Sequence, residues 1–80
     1  MNVRVRYFAA AKAALGRASD EFDGVPDLAA LESRLVEATP SAAAVLGRCT
    51  YLVDGVSTTD RATALRASAA VDVLPPFAGG

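Results

Sequence analysis

Few groups among these 80 residues can take part in covalent chemistry. There is no His, so imidazole acid–base catalysis and His metal ligation are excluded, and no metal site is expected. Cys49 and Lys12 are each the only residue of their kind. No helix start adjoins Cys49, and it reads as an inert buried thiol. A lone lysine reads as a solubilising charge. What remains is the end of the sequence, Leu74-Pro75-Pro76-Phe77-Ala78-Gly79-Gly80. Glycine has no Cβ, so Gly79 and Gly80 make a thin thread ending in an unhindered carboxylate. Such a thread can be fed into a narrow active site of another protein and derivatised there. Pro75 and Pro76 fix φ and lack an N–H, which ends the preceding strand and stiffens the base of the thread. Phe77 is a large apolar group that nothing nearby is placed to cover. Alone, the glycine pair is a weak signal: at about 7% glycine usage, roughly 0.5% of chains end this way by chance, and termini fray. The elements that carry it decide its meaning.

Residues 2–8 alternate, with Val3, Val5 and Tyr7 on one face and Arg4, Arg6 and Phe8 on the other, which predicts a half-buried strand. Arg4 and Arg6 then lie on a solvated face or meet a partner. Residues 9–15 are strong helix formers followed by Gly16, which predicts a two-turn helix with a glycine cap. Residues 17–22 form a weaker strand candidate. Its acidic cluster, Asp20, Glu21 and Asp23, reads as a charged edge that discourages aggregation. Asp27 caps a helix over 27–38 whose Leu28, Leu31 and Leu35 make one apolar stripe, stopped at Thr39-Pro40. Ser41 is expected to cap a short helical turn over 42–46. Residues 48–53 read as a strand, Asp54-Gly55 as a tight turn, and 71–74 as the last strand. Residues 56–63 are ambiguous, with Asp60 capping a turn that brings Leu65 onto the core.

The length allows one domain, taken as 1–76 with residues 77–80 as a tail. The composition is 52% hydrophobic, much of it alanine, with no Trp and no Ile. A net charge of −1 gives no electrostatic reason to expect nucleic acid or an anionic membrane. No apolar run approaches membrane-spanning length, and a single cysteine fits a reducing cytoplasm. A mixed sheet covered on one face by one main helix is an α+β arrangement.

Here the sequence resembles the sulfur-carrier family that includes the small subunit of molybdopterin synthase, proteins of the β-grasp (ubiquitin-like) fold. The resemblance spans essentially the whole chain. It rests on the opening strand running into Phe8-Ala9-Ala10-Ala11-Lys12-Ala13-Ala14-Leu15-Gly16, on the Leu28/Leu31/Leu35 helix, on the Asp54-Gly55 turn and above all on the final seven residues. Two turns depart from the family pattern: Asp54-Gly55 replaces Asn-Gly, and Ala67-Ser68-Ala69-Ala70 replaces an Asp/Gly-rich turn. These leave the strand boundaries between 56 and 70 open.

The resemblance implies a protein that is no enzyme on its own and has a flexible Gly-Gly tail. An E1-like adenylyltransferase would use ATP to convert the Gly80 carboxylate to an acyl-adenylate. A sulfur donor protein would then give a thiocarboxylate. The large catalytic subunit of molybdopterin synthase would receive the tail, with Gly79 threading its channel, and pass the sulfur to cyclic pyranopterin monophosphate. ATP belongs to the activating enzyme, because this chain has no Gly-x-x-x-x-Gly-Lys loop. Partner contacts are expected at Pro75, Pro76 and Phe77, and on the sheet face opposite the main helix at Phe8, Leu52 and Leu74. The alternatives are a sulfur carrier for cysteine or thiamine synthesis, the second disfavoured by the helix at 9–15, and a non-covalent β-grasp binding module.

Overall fold

The computed structural model describes residues 2–76, so the expectations for Phe77, Gly79 and Gly80 lie outside the described residues. Five strands form one mixed sheet: β1 (Val3–Tyr7), β2 (Ser19–Phe22), β3 (Thr50–Val53), β4 (Val56–Thr58) and β5 (Ala70–Leu74). The helices are α1 (Ala9–Leu15), α2 (Leu28–Ala38) and α3 (Ala43–Leu46). The sheet order is β2-β1-β5-β3-β4. β1 and β5 run parallel at its centre, while β2 and β3 flank them antiparallel.

Alternation decides which face is buried. Val3, Val5 and Tyr7 of β1, Val71 and Val73 of β5 and Tyr51 of β3 share the covered face. Leu28, Leu31 and Leu35 of α2 are all 0% exposed in the same apolar cluster, as the stripe predicts. A one-residue slip of any central strand would expose its apolar set, so the burial itself specifies the register. The first backbone N–H groups of α2 are all engaged: Leu28 N donates to Thr63 O, Ala29 N to Arg61 O, and Ala30 N to the Asp27 carboxylate at 2.8 Å. Asp27 is therefore the cap the sequence predicts, and the 59–69 loop completes the work.

Arg61 fastens that loop. Its Nε lies 3.1 Å from Glu32 Oε1 and its Nη2 donates to Leu46 O at 2.8 Å. Its guanidinium sits 4.8 Å from the centre of the Tyr51 ring, and the Tyr51 hydroxyl donates to the same Glu32 oxygen at 2.7 Å. Burial, then the Glu32 carboxylate, pushes the Tyr51 hydroxyl far above its ordinary pKa, so it stays a donor at any physiological pH. Leu65 is 8% exposed and buried beneath the loop, after a turn in which Asp60 accepts from Ala62 N.

Several boundaries differ from the sequence reading, each for a local reason. β4 forms where the sequence is ambiguous, because Asp54 and Gly55 both take positive φ, 50° and 86°, as a two-residue hairpin turn between Val53 and Val56 requires. β3 starts at Thr50 rather than residue 48, because Arg48 N and Cys49 N still bond back to Val45 O and Leu46 O. β2 starts at Ser19, after Arg17 has turned to pair with Asp20. Ser41 caps nothing: Pro40 at the first position opens a 3-10 turn over Pro40–Ala42 that leads into α3.

One corner aims the chain out of the sheet. Ala9 begins α1 with φ of 49°, the left-handed region that costs an L-residue about 1–2 kcal/mol. Its side chain is exposed, so a glycine there loses no packing. Ala9→Gly is expected to leave thermal stability unchanged or raise it. Ala13→Gly, in the same helix with ordinary geometry, is expected to cost about 1 kcal/mol, or roughly 4–8 °C. Melting curves that lower both midpoints equally would contradict this.

Candidate functional site: the uncovered sheet face and the root of the tail

The face away from α2 is carpeted in rows set by the register. Across one row stand Arg6, Asp72, Leu52 and Ser57, because Arg6 pairs with Asp72, Asp72 with Leu52, and Leu52 with Ser57. The next row, at the end where β5 finishes, holds Leu74 opposite Thr50. Phe8 joins it there, since Phe8 N donates to Val73 O at 3.3 Å. The row at the other end has Arg4 between Glu21 and Ala70. The face thus grades from charged at one end to apolar where the tail departs.

Phe8, Leu52 and Leu74, expected from alternation at a partner surface, do share this face. Phe8 is 37% exposed, and Leu52 and Leu74 are half-buried. Phe8 packs beneath the Arg6 guanidinium, 5.5 Å from ring centre to charge. Pro76 is exposed, but Pro75 is buried. The alternation of β5 continues one residue past its end, so after outward Leu74 the ring of Pro75 turns inward. This corrects the expectation that both prolines are offered to a partner. The tail springs from a strand bonded on both sides, so its root is held by two ladders.

The sequence reading missed Asp72. Arg6 Nε and Nη2 reach its two carboxylate oxygens at 2.9 and 3.0 Å, a bidentate pair across the parallel strands. The pair raises the Arg6 pKa further, through hydrogen bonding first and charge second. Only the β1–β5 register, which no local pattern announces, sets the two opposite each other.

A second polar tie steadies the start of β5. The Asp54 carboxylate accepts from Arg66 Nε and from Ala70 N, both at 3.0 Å. Arg66 first, then the Ala70 N–H, hold its pKa below the ordinary value. A carboxylate depressed on folding stabilises above its unfolded pKa and loses that contribution as pH falls through the folded one. Asp54→Asn retains an acceptor for Ala70 N and tolerates positive φ. It is expected to change the midpoint little at pH 7 and to lessen the loss of stability from about pH 4 downward. An acid limb identical to that of the unsubstituted protein would refute the assignment.

Cys49 is 1% exposed, its thiol donates to Val45 O at 3.2 Å, and burial pushes its pKa up. It is poorly suited to nucleophilic work. Among the described residues, no His, Cys, Asp or Glu side chains gather in a group able to hold a metal ion, and no helix is long and apolar enough to cross a membrane.

No family profile and no curated protein matches the sequence. Solved structures do match its architecture. SAMP1 from Haloferax volcanii superposes with a TM-score of 0.80 at 21% identity, covering 100% of both chains. A putative molybdopterin converting factor subunit 1 from Pyrococcus furiosus gives 0.81 at 17% identity, over 96% of this chain and 99% of the other. The fold is the β-grasp. A chain of the complex of subunits 1 and 2 of the molybdopterin-converting factor from Helicobacter pylori shares it, with a TM-score of 0.71 at 22% identity and 100% coverage of both chains. In this β-grasp chain the α2 side of the sheet is the interior, and the Phe8/Leu52/Leu74 side has no covering element among the described residues.

Proposed function

We propose that the chain is a sulfur carrier, the non-catalytic small subunit of a molybdopterin synthase, with Gly80 as the group that is modified. The observation that carries this reading is the rooting of the tail. Leu74 leaves the centre of the sheet beside Phe8, at the apolar end of an uncovered face. A partner seated on that face receives the tail at its edge. Whole-length likeness of fold to molybdopterin converting factor subunit 1 supports the same reading.

The chemistry is split between proteins. A carboxylate is a poor electrophile until a leaving group is attached. An E1-like enzyme therefore transfers AMP from ATP to the Gly80 carboxylate and releases pyrophosphate. Sulfide supplied by a sulfur donor attacks the acyl carbon, AMP leaves, and a thiocarboxylate remains. The large subunit admits the tail through Gly79 and catalyses sulfur transfer to cyclic pyranopterin monophosphate, with Phe77 and Pro76 against its surface. The dependence on ATP and the unbridged Cys49 fit the cytoplasm.

The deciding experiment incubates the protein with the activating enzyme, ATP and a sulfur donor and weighs it intact. A gain equal to the difference between sulfur and oxygen supports the reading; an unchanged mass with an enzyme shown to be active defeats it. The likeness to SAMP1, a small archaeal modifier protein, favours a second reading in which a lysine amine attacks the activated Gly80. A protein-sized adduct in the same assay would mark it. For the docking face, Leu52→Asp and Leu74→Asp are each expected to weaken association with the large subunit by about 10-fold or more, since each buries an unpaired charge. Unchanged affinity in calorimetry would place the interface elsewhere.

A further inference from the structure

We infer that Arg6 is the residue that makes the docking face buriable: by occupying both carboxylate oxygens of Asp72, it lets a partner cover the centre of the sheet without stranding a charge. The inference rests on the docking reading above and names the chemistry of the surface that fits it, which is apolar and brings no cation of its own for Asp72.

Asp72 is the anomaly of this face. It stands on the central strand, between Arg6 and Leu52 and one row from Leu74. Its side chain is only 19% exposed, against 67% for Arg6. A carboxylate there goes under any partner that reaches Phe8, Leu74 and Leu52 together. Burying a carboxylate is costly unless its oxygens are already hydrogen-bonded. Among the described residues, Arg6 is the side chain that donates to Asp72, and it donates to both oxygens. The Phe8 ring lies beneath the guanidinium, 5.5 Å from its centre. In the free protein this exposed pair contributes little to stability. Its effect belongs to the docked state.

The two partners are not equivalent. Without Arg6, Asp72 is fixed on a short side chain in the middle of the interface with nothing to bind. Without Asp72, Arg6 has a long stem that carries its charge to the rim and into water. Loss of the cation should therefore harm docking, loss of the anion should not, and removing both should undo most of the harm.

The test measures affinity for the large subunit by calorimetry with four full-length chains. Arg6→Ala is expected to weaken binding by about 30-fold or more, as for one charge left buried and unpaired. Asp72→Asn should stay within about threefold of the unsubstituted protein, and Arg6→Ala combined with Asp72→Asn within about fivefold. The recovery separates charge from packing, because the double variant has also lost the stacking on Phe8. Melting midpoints of the isolated chains should agree within a few degrees, since the pair is exposed. The inference is overturned if Arg6→Ala binds normally, or if the double variant binds no better than Arg6→Ala. Failure of the unsubstituted protein to bind the large subunit at all would instead overturn the docking reading, and this inference with it.

Discussion

Deleting Gly80, or adding one bulky residue after it, is expected to abolish sulfur transfer while leaving the fold intact. On the proposed carrier reading, the reacting atom is the Gly80 carbonyl carbon and the domain acts as its handle. Deletion moves the carboxylate back by one residue, about 3.5 Å, which is larger than the tolerance of a positioned attack. It also places the acyl group on Gly79, so the expected loss is one of reach rather than intrinsic reactivity. Extension puts a Cβ and a side chain where a narrow channel has to close around backbone. Both variants should dock with affinity close to normal if the sheet face supplies most of the contact. The measurement is the rate of dithiolene formation in the reconstituted complex, with melting temperature as the control for folding. Sulfuration at the original rate by either variant would end the carrier reading. Loss of docking together with loss of transfer would show that the tail itself carries the affinity.

Leu35→Ala is expected to have the largest effect on stability. Leu35 is fully buried on the α2 stripe, within the cluster that includes Leu31, Tyr51 and Val73. Removing such a side chain costs about 2–5 kcal/mol, from lost transfer energy and the cavity left behind. A domain of 80 residues has only about 4–12 kcal/mol in total. The substitution should thus lower the midpoint by at least about 10 °C, and it can leave a substantial unfolded fraction at growth temperature. Val56→Ala is the matched control: Val56 is 67% exposed on an edge strand, so its truncation should change stability by less than about 0.5 kcal/mol. Equal effects of the two would mean that the α2 stripe is not the core.

The parts of the fold legible in the sequence were those where one residue's neighbours along the chain determine its environment. Val3, Val5 and Tyr7 alternate, Leu28, Leu31 and Leu35 recur at helical spacing, and Gly16 takes the left-handed cap. The β4 strand was hidden because its residues are exposed or half-buried and carry no alternation to detect. Pro75 was misplaced because both prolines were assigned to the partner together, without following which face each one takes. The inward and outward rhythm of β5 outlasts its hydrogen bonds by a residue. Within the candidate site, the shared face of Phe8, Leu52 and Leu74 followed from parity within each strand. The Arg6–Asp72 pair did not, because it depends on the pairing of strands far apart in sequence.

The central placement of β5 bears on how the protein is made. Val5 and Val71 are partners across the middle of the sheet, so the interior stays open until β5 has left the ribosome. A product interrupted before residue 70 lacks the strand that joins the two halves of the sheet. It should remain unfolded and go to proteolysis. The cell's ordinary triage of incomplete chains thus removes copies that stop before β5 is made, with no dedicated proofreading step.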